Sequence, residues 1–376
     1  MTAPVNGFCD PRFEAVKAAF ETNFCEHGDI GASVAITFDG AFVVDLWGGH
    51  LDEERTKPWQ EDTLVNVWSS TKTMAAMSLL LLADQGEVDL HAPAAKYWPE
   101  FSQGGKETVE VRHFLSHMAG LSGMTEPVEG DRLYDWEWMT SALARQEPWW
   151  EPGTQSGYHA LTQGHLIGEI VRRVTGQSIG NFFRQEIAEP TNADFHIGAG
   201  EELDERIGNL VPPENTVSPD PETIAGRTFA NPAVDATEPR KREWRAAEIP
   251  AANGQGNARS IVRAQTAMAN GGKAFGKTIM SEAGTRRVFE KQSEGTDLVL
   301  GVPLVFGMGY GLNSALLPIS PNPNTCFWGG YGGSSVIIDQ DARLCFSYVM
   351  NKMESGLLGD PRGFGLAAAM YASLQT

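Results

Sequence analysis

Residues 69–82 read Ser69-Ser70-Thr71-Lys72-Thr73-Met74-Ala75-Ala76-Met77-Ser78-Leu79-Leu80-Leu81-Leu82, and this stretch decides how the rest of the chain is read. The apolar run from Met74 predicts a buried helix that begins near Ser69 and runs to about Gln85, where Gly86 stops it. On such a helix Ser69 and Lys72 lie one turn apart on the same face. A lysine kept neutral by burial can take the serine proton, and the positive end of the helix stabilises an alkoxide or oxyanion beside it. The stretch therefore predicts an acyl-transfer nucleophile. Taken alone, the tetrapeptide reads equally well as a capping serine with a solvated lysine.

Upstream, Asp10-Pro11 forms a capping pair ahead of Phe13, Val16, Phe20 and Phe24 at helical spacing. Two β-rich runs at 32–38 and 41–47 flank Asp39-Gly40, a strong hairpin signal. Downstream, 111–115, 138–145 and 161–174 read as helices between Gly- and Pro-rich turns. The Pro- and charge-rich segment 201–245 reads as a long ordered excursion. Strand character returns at 310–315, 336–339 and 344–350, and a closing helix is predicted over 363–374. This order predicts an α/β plus α architecture. A central antiparallel sheet built from both ends of the chain is flanked by helices in a discontinuous region, 1–80 and 250–376. A mostly helical region, 81–249, is inserted, with the active site between the two.

The 376 residues carry 29 Lys and Arg against 48 Asp and Glu, a net charge of −19, which argues against nucleic acid or a membrane surface as partner. The segment Met1-Thr2-Ala3-Pro4-Val5-Asn6-Gly7 has neither a basic nor an apolar leader region. Cys9, Cys25, Cys326 and Cys345 lack metal-like spacing and are expected as reduced thiols in a cytoplasmic protein. The scattered histidines supply no metal set, and no phosphate loop is present, so no cofactor is expected.

Two further motifs weigh in favour of chemistry. Gly153-Thr154-Gln155-Ser156-Gly157-Tyr158 precedes the amphipathic run at Leu161, and Trp328-Gly329-Gly330-Tyr331-Gly332-Gly333-Ser334 precedes the strand at Val336. With the first stretch they fall in the order S-x-x-K, Y-x-N, K-T-G of penicillin-recognising serine hydrolases. The chain resembles that superfamily, and most closely the family VIII carboxylesterases of class C β-lactamase fold. Phe114-Leu115-Ser116-His117-Met118-Ala119-Gly120-Leu121 and Glu151-Pro152-Gly153-Thr154 add to the resemblance, which spans nearly the whole chain.

The resemblance implies a β-lactamase/transpeptidase-like fold, with Ser69 as nucleophile, Lys72 as its base and Tyr158 as proton relay. It also implies an oxyanion hole from the N–H groups of Ser69 and Tyr331, beside a third motif at Trp328, Gly329 and Gly330. The chain departs from the β-lactamase pattern at Tyr158-His159-Ala160, which lacks the asparagine, and at Trp328, which replaces the lysine. Those losses weaken recognition of a β-lactam carboxylate and leave cleavage of a small-molecule ester intact. β-Lactamase, D-alanyl carboxypeptidase, amide hydrolase or acyltransferase chemistry on the same serine stays open, as does a catalytically silent ligand-binding homologue.

His159 stands next to the relay tyrosine, and Trp149 and Trp150, in a cluster with Trp136 and Trp138, are candidate pocket residues. Asn253-Gly254-Gln255-Gly256 is expected near the cleft. Gly176-Gln177-Ser178-Ile179-Gly180 fits the G-x-S-x-G elbow of α/β-hydrolases, but it follows a helix rather than a strand, so Ser178 is read as a turn residue. Oligomeric state is not legible in the sequence.

Overall fold

The apolar, β-branched composition of the two end segments is satisfied in one nine-stranded, wholly antiparallel sheet. The structure, a computed structural model, describes residues 4–216 and 219–375. The strands are β1 (Val5–Cys9), β2 (Gly31–Phe38), β3 (Ala41–Gly49), β4 (Ser293–Thr296), β5 (Pro303–Phe306), β6 (Gly311–Leu312), β7 (Thr325–Gly329), β8 (Ser335–Asp339) and β9 (Leu344–Met350). Their spatial order is β1-β3-β2-β9-β8-β7-β6-β5-β4, so the N-terminal hairpin docks on the C-terminal strands through β2 and β9. Asp39 and Gly40 both take positive φ, +50° and +78°, as a tight β2–β3 turn requires. The reading of the first seven residues rests in part on residues 1–3, which lie outside the described residues.

Register fixes which side chains face the chemistry. Ser33 and Thr37 of β2 bond α5 (Ala258–Ala269), through Ala258 N–H and the Thr266 hydroxyl. Following the pairs Thr37↔Cys345↔Ile338↔Cys326 and Ala35↔Ser347↔Val336↔Trp328 puts Trp328 on that same face. The opposite face carries α6 (Pro361–Ser373), whose Tyr371 hydroxyl bonds Asp339, and α6 packs in turn on α1 (Glu14–Cys25).

Between β3 and β4 the described residues contribute no strand to this sheet. It supplies α2 (Lys72–Asp84), α3 (Trp136–Arg145) and α4 (Thr162–Thr175), with shorter helices between. Among α2 residues only Asp84 is not buried, which is why its sequence is apolar all round instead of striped. Residues 201–245 form a series of short helices interrupted at prolines, with 217–218 outside the described residues.

Two strand expectations needed correction. The run 310–315 yields only Gly311–Leu312, because Asn313 folds its side-chain amide back onto residues 319, 320 and 322 and ends the ladder. Strands β1, β4 and β5 were not expected. All three are short: β1 and β4 are the edges of the sheet and largely exposed, and β5, next to β4, buries three residues in a row, so none of them shows an alternation of burial that would announce it. All four cysteines are free thiols.

Candidate active site

Ser69 sits on a 3-10 turn, Trp68–Thr71, that leads directly into α2. The residue before it is strained: Trp68 takes φ +47°, rare for a bulky side chain, and is pinned there by Trp244 and Tyr331, with ring centroids 5.5 and 5.6 Å away. Ser69 is half-buried at the mouth of the site, and Lys72 behind it is 1% exposed.

Two groups meet at the serine oxygen. Lys72 Nζ is 3.1 Å from Ser69 Oγ, and the Tyr158 hydroxyl is 2.5 Å from it. Lys72 Nζ also donates to Ala160 O at 2.7 Å and Ala251 O at 2.9 Å. Burial, with no acidic partner, holds its pKa well below the ordinary lysine value. A neutral amine has two N–H groups and one lone pair. The two carbonyls use both N–H groups, so the lone pair is left for the Ser69 hydroxyl. The remaining chain then runs from the Tyr158 O–H to Ser69 Oγ, and from Ser69 O–H to Lys72 Nζ.

Tyr158 is 3% exposed, and burial pushes its phenol above the usual tyrosine range. Its ring face lies 4.6 Å from Lys72 Nζ, a contact that strengthens when the amine takes a proton. The indole N–H of Trp328 favours the ionised phenol but falls short of hydrogen-bond geometry, and it is buried without a partner. Trp328 itself is wedged among Tyr158, His117 and Phe306, with centroids 5.4–5.9 Å away.

The third motif reaches the nucleophile through missing side chains. A Cβ on Gly330 would lie 2.2 Å from Val67 O and 3.2 Å from Ser69 N, so only glycine lets this turn approach the serine backbone. Gly329 faces the other way, toward Leu358 and Gly359. Beyond it Ser334 Oγ bonds Val67 O at 2.8 Å and lies 2.9 Å from Ser70 Oγ. The turn is also braced from the α6 side by the buried Arg362, which donates to Gly332 O, Asp360 and Asp29. Sequence reading missed this brace, because Asp29 and Arg362 are 333 positions apart.

The remaining candidates fall elsewhere. His159 is fully buried, its Nε2 accepting from Leu121 N–H and its Nδ1 bonded to Gly157 O, with its pKa pushed down to about 3 by burial. A ring so enclosed faces no substrate, and its place is a strut behind Tyr158. Trp150 packs on Gly157 and His159 one layer further back. Trp149 carries Arg227 over its ring at 4.1 Å. Trp136 donates its indole N–H to the buried Glu169.

The glycine-rich loop packs behind the nucleophile: Gly254 N–H donates to Thr71 Oγ1 and Gly254 O accepts from Val67 N–H. The contact that matters from this segment is Ala251 O on Lys72. Ser178 caps the short helix Ile179–Phe183 and bonds Glu248. A crevice of about 670 Å³ elsewhere on the molecule is lined by paired charges such as Arg206 with Asp194 and includes none of Ser69, Lys72 and Tyr158. Among the described residues no three acidic, histidine or cysteine side chains are grouped to hold a metal ion.

The profile of the family described as Beta-lactamase matches residues 17–369. The chain is 35% identical over 375 residues to "Esterase/beta-lactamase LipL" of Mycobacterium tuberculosis, an alignment covering 96% of this chain and 86% of that protein. It is 26% identical over 395 residues to "Esterase EstB" of Burkholderia gladioli, covering 94% of each. The crystal structure of a family VIII carboxylesterase superposes with a TM-score of 0.94 at 41% identity, covering 98% of this chain and all of that one. A penicillin-binding protein homologue from Caulobacter crescentus superposes at 0.92 with 36% identity, over 98% of this chain and all of that one.

Proposed function

The chain belongs to the beta-lactamase family, with its β-lactamase/transpeptidase-like fold, and from that premise we propose that it is a serine carboxylesterase cleaving small esters through an acyl-enzyme on Ser69. The observation that carries this reading is the meeting of Lys72 and Tyr158 on one serine oxygen.

In the first step the Ser69 proton passes to the lone pair of Lys72 and Oγ bonds the ester carbonyl carbon. The new ammonium is met by Ala160 O, Ala251 O and the face of Tyr158, all already in place. The carbonyl oxygen becomes an oxyanion, for which the N–H groups of Ser69 and Tyr331 are the proposed donors. Collapse breaks the bond to the alcohol oxygen, which takes the Tyr158 proton, and the phenolate recovers a proton from Lys72. Water then attacks the acyl-serine by the same route and releases the acid.

Esters are favoured over β-lactams because a buried indole, Trp328, occupies the third-motif position where a lysine would hold a substrate carboxylate. Acyl transfer to an alcohol uses the same intermediate with a different acceptor. The cleft is proposed to lie between the sheet-bearing regions, 1–80 and 250–376, and the helical region, 81–249. Among the described residues no helix is long and apolar enough to cross a membrane. The test is ester turnover by Ser69→Ala, expected to fall at least about 10³-fold with the fold intact. Unchanged turnover would remove Ser69 from the mechanism.

A further inference from the structure

We propose that Asp297 positions Tyr158 for catalysis, through a buried carboxylate that grips the tyrosine backbone from the far end of the sheet. This inference rests on the reading of Ser69, Lys72 and Tyr158 given above.

Asp297 opens the turn between β4 and β5 and is 1% exposed. Its Oδ1 accepts three backbone N–H groups, each at 2.9 Å: Val299 and Leu300 of its own turn, and Tyr158 across the site. Beside it Leu298 N–H donates to Ser156 O at 2.9 Å, so the two segments are stitched at two points. From the other side His117 O accepts from Gly157 N–H and His117 Nδ1 accepts from His159 N–H. Tyr158 is thus held at its own N–H by Asp297 and at both neighbours by His117. Residues 156–161 lie outside any helix or strand, so without these bonds nothing local sets where the phenol points.

The second oxygen, Oδ2, is buried with no hydrogen-bond partner, and no cation pairs with this carboxylate. A neutral side chain would serve a purely structural clamp at lower cost, since burying an unpaired charge is expensive. The charge has a use here. Burial is the main cause that keeps the proton on the Tyr158 phenol until the leaving alkoxide needs it, and the Asp297 carboxylate adds to it in the same direction. The other titratable groups packed on the phenol are Lys72 over its face, His117 at its edge and His159 behind, and burial keeps both imidazoles neutral.

The test compares two leaving groups. An alkyl ester releases an alkoxide that must be protonated, whereas p-nitrophenolate leaves without a proton, so misplacing Tyr158 harms the first more. Asp297→Ala is expected to lower kcat/KM about 10²-fold on an ethyl ester and about tenfold on the matching p-nitrophenyl ester, mostly in kcat. Asp297→Asn keeps an acceptor for the three N–H groups and is expected to restore most of the ethyl-ester rate. Removing the charge should also move the alkaline limb of its pH profile to lower pH.

Equal losses on both esters in both variants would mean that Asp297 merely supports the fold, and would overturn the proposal. So would full activity of Asp297→Ala. Tyr158→Phe separates the two levels: if it retains ethyl-ester turnover, the reading of the site fails, and if it is crippled while Asp297→Ala is not, only the Asp297 proposal fails.

Discussion

The molecule buries two lysines without a salt-bridge partner, and their surroundings suit different protonation states. Lys106 Nζ donates to three carbonyls, those of Gln103, Ala144 and Gln146, and so uses all three protons of an ammonium. Lys72 Nζ has only two carbonyls, and its third direction is filled by Ser69 Oγ. Burial lowers Lys106 to about 8 and pushes Lys72 well below its ordinary value. Burial acts on both, but the carboxylates of Glu107 and Glu147 hold the Lys106 pKa up, whereas nothing offsets the deeper burial of Lys72. The acceptors divide the same way: three carbonyls use every proton of an ammonium, while two carbonyls satisfy a neutral amine and leave its lone pair to work.

That comparison is open to attack at several points. The largest effect is expected from Lys72→Met, which should cost at least about 10³-fold in kcat/KM on any ester, while Lys106→Met should leave activity per folded molecule within about twofold. A large catalytic loss in the Lys106 variant would erase the distinction.

Stability is expected to respond in the opposite sense. Lys106→Met leaves three carbonyls without their donor and should cost about 1–3 kcal/mol in urea unfolding. Lys72 has a folded pKa depressed below its unfolded one, so between those values the unfolded chain binds the extra proton and stability rises with pH. Replacing it removes that dependence, and the melting temperature of Lys72→Met relative to the parent should therefore climb as pH falls. A gap that does not change between pH 9 and pH 6 would mean that Lys72 is charged in the folded protein.

The pH profile of turnover gives the same sign. Activity requires neutral Lys72, so the acid limb should lie well below the ordinary lysine value. The phenol, pushed up by burial, should set the alkaline limit. An acid limb near 10 would contradict this. The smallest effect is expected from Ser178→Ala, which removes a helix cap at about 1 kcal/mol and leaves turnover unchanged. A dead variant would revive the G-x-S-x-G serine as nucleophile.

How much of this was legible in the sequence follows from distance along the chain. The Ser69–Lys72 contact is a helical i, i+3 relation and can be read from four letters. The Asp39-Gly40 hairpin is equally local. Tyr158 was legible through its motif, but the residues that hold it were not: Asp297 bonds it across 139 positions. His159 illustrates the converse. Its place beside Tyr158 suggested a cleft residue, yet an imidazole with both nitrogens bonded to backbone is a strut, and only the packing of Leu121 and Gly157 around it shows that. The short edge strands carry too few buried side chains to leave a periodic trace.

The central claim, that Ser69 is an acyl-bearing nucleophile activated by neutral Lys72, is tested most directly by treating the parent, Ser69→Ala and Lys72→Met with a fluorophosphonate and mapping the adduct by peptide mass spectrometry. The account predicts one phosphonyl group on Ser69 of the parent, formed faster as pH rises through the Lys72 titration, none in Ser69→Ala, and labelling slowed at least about 10³-fold in Lys72→Met. An adduct on Ser178, or Ser69 labelled as fast without Lys72 as with it, would contradict it.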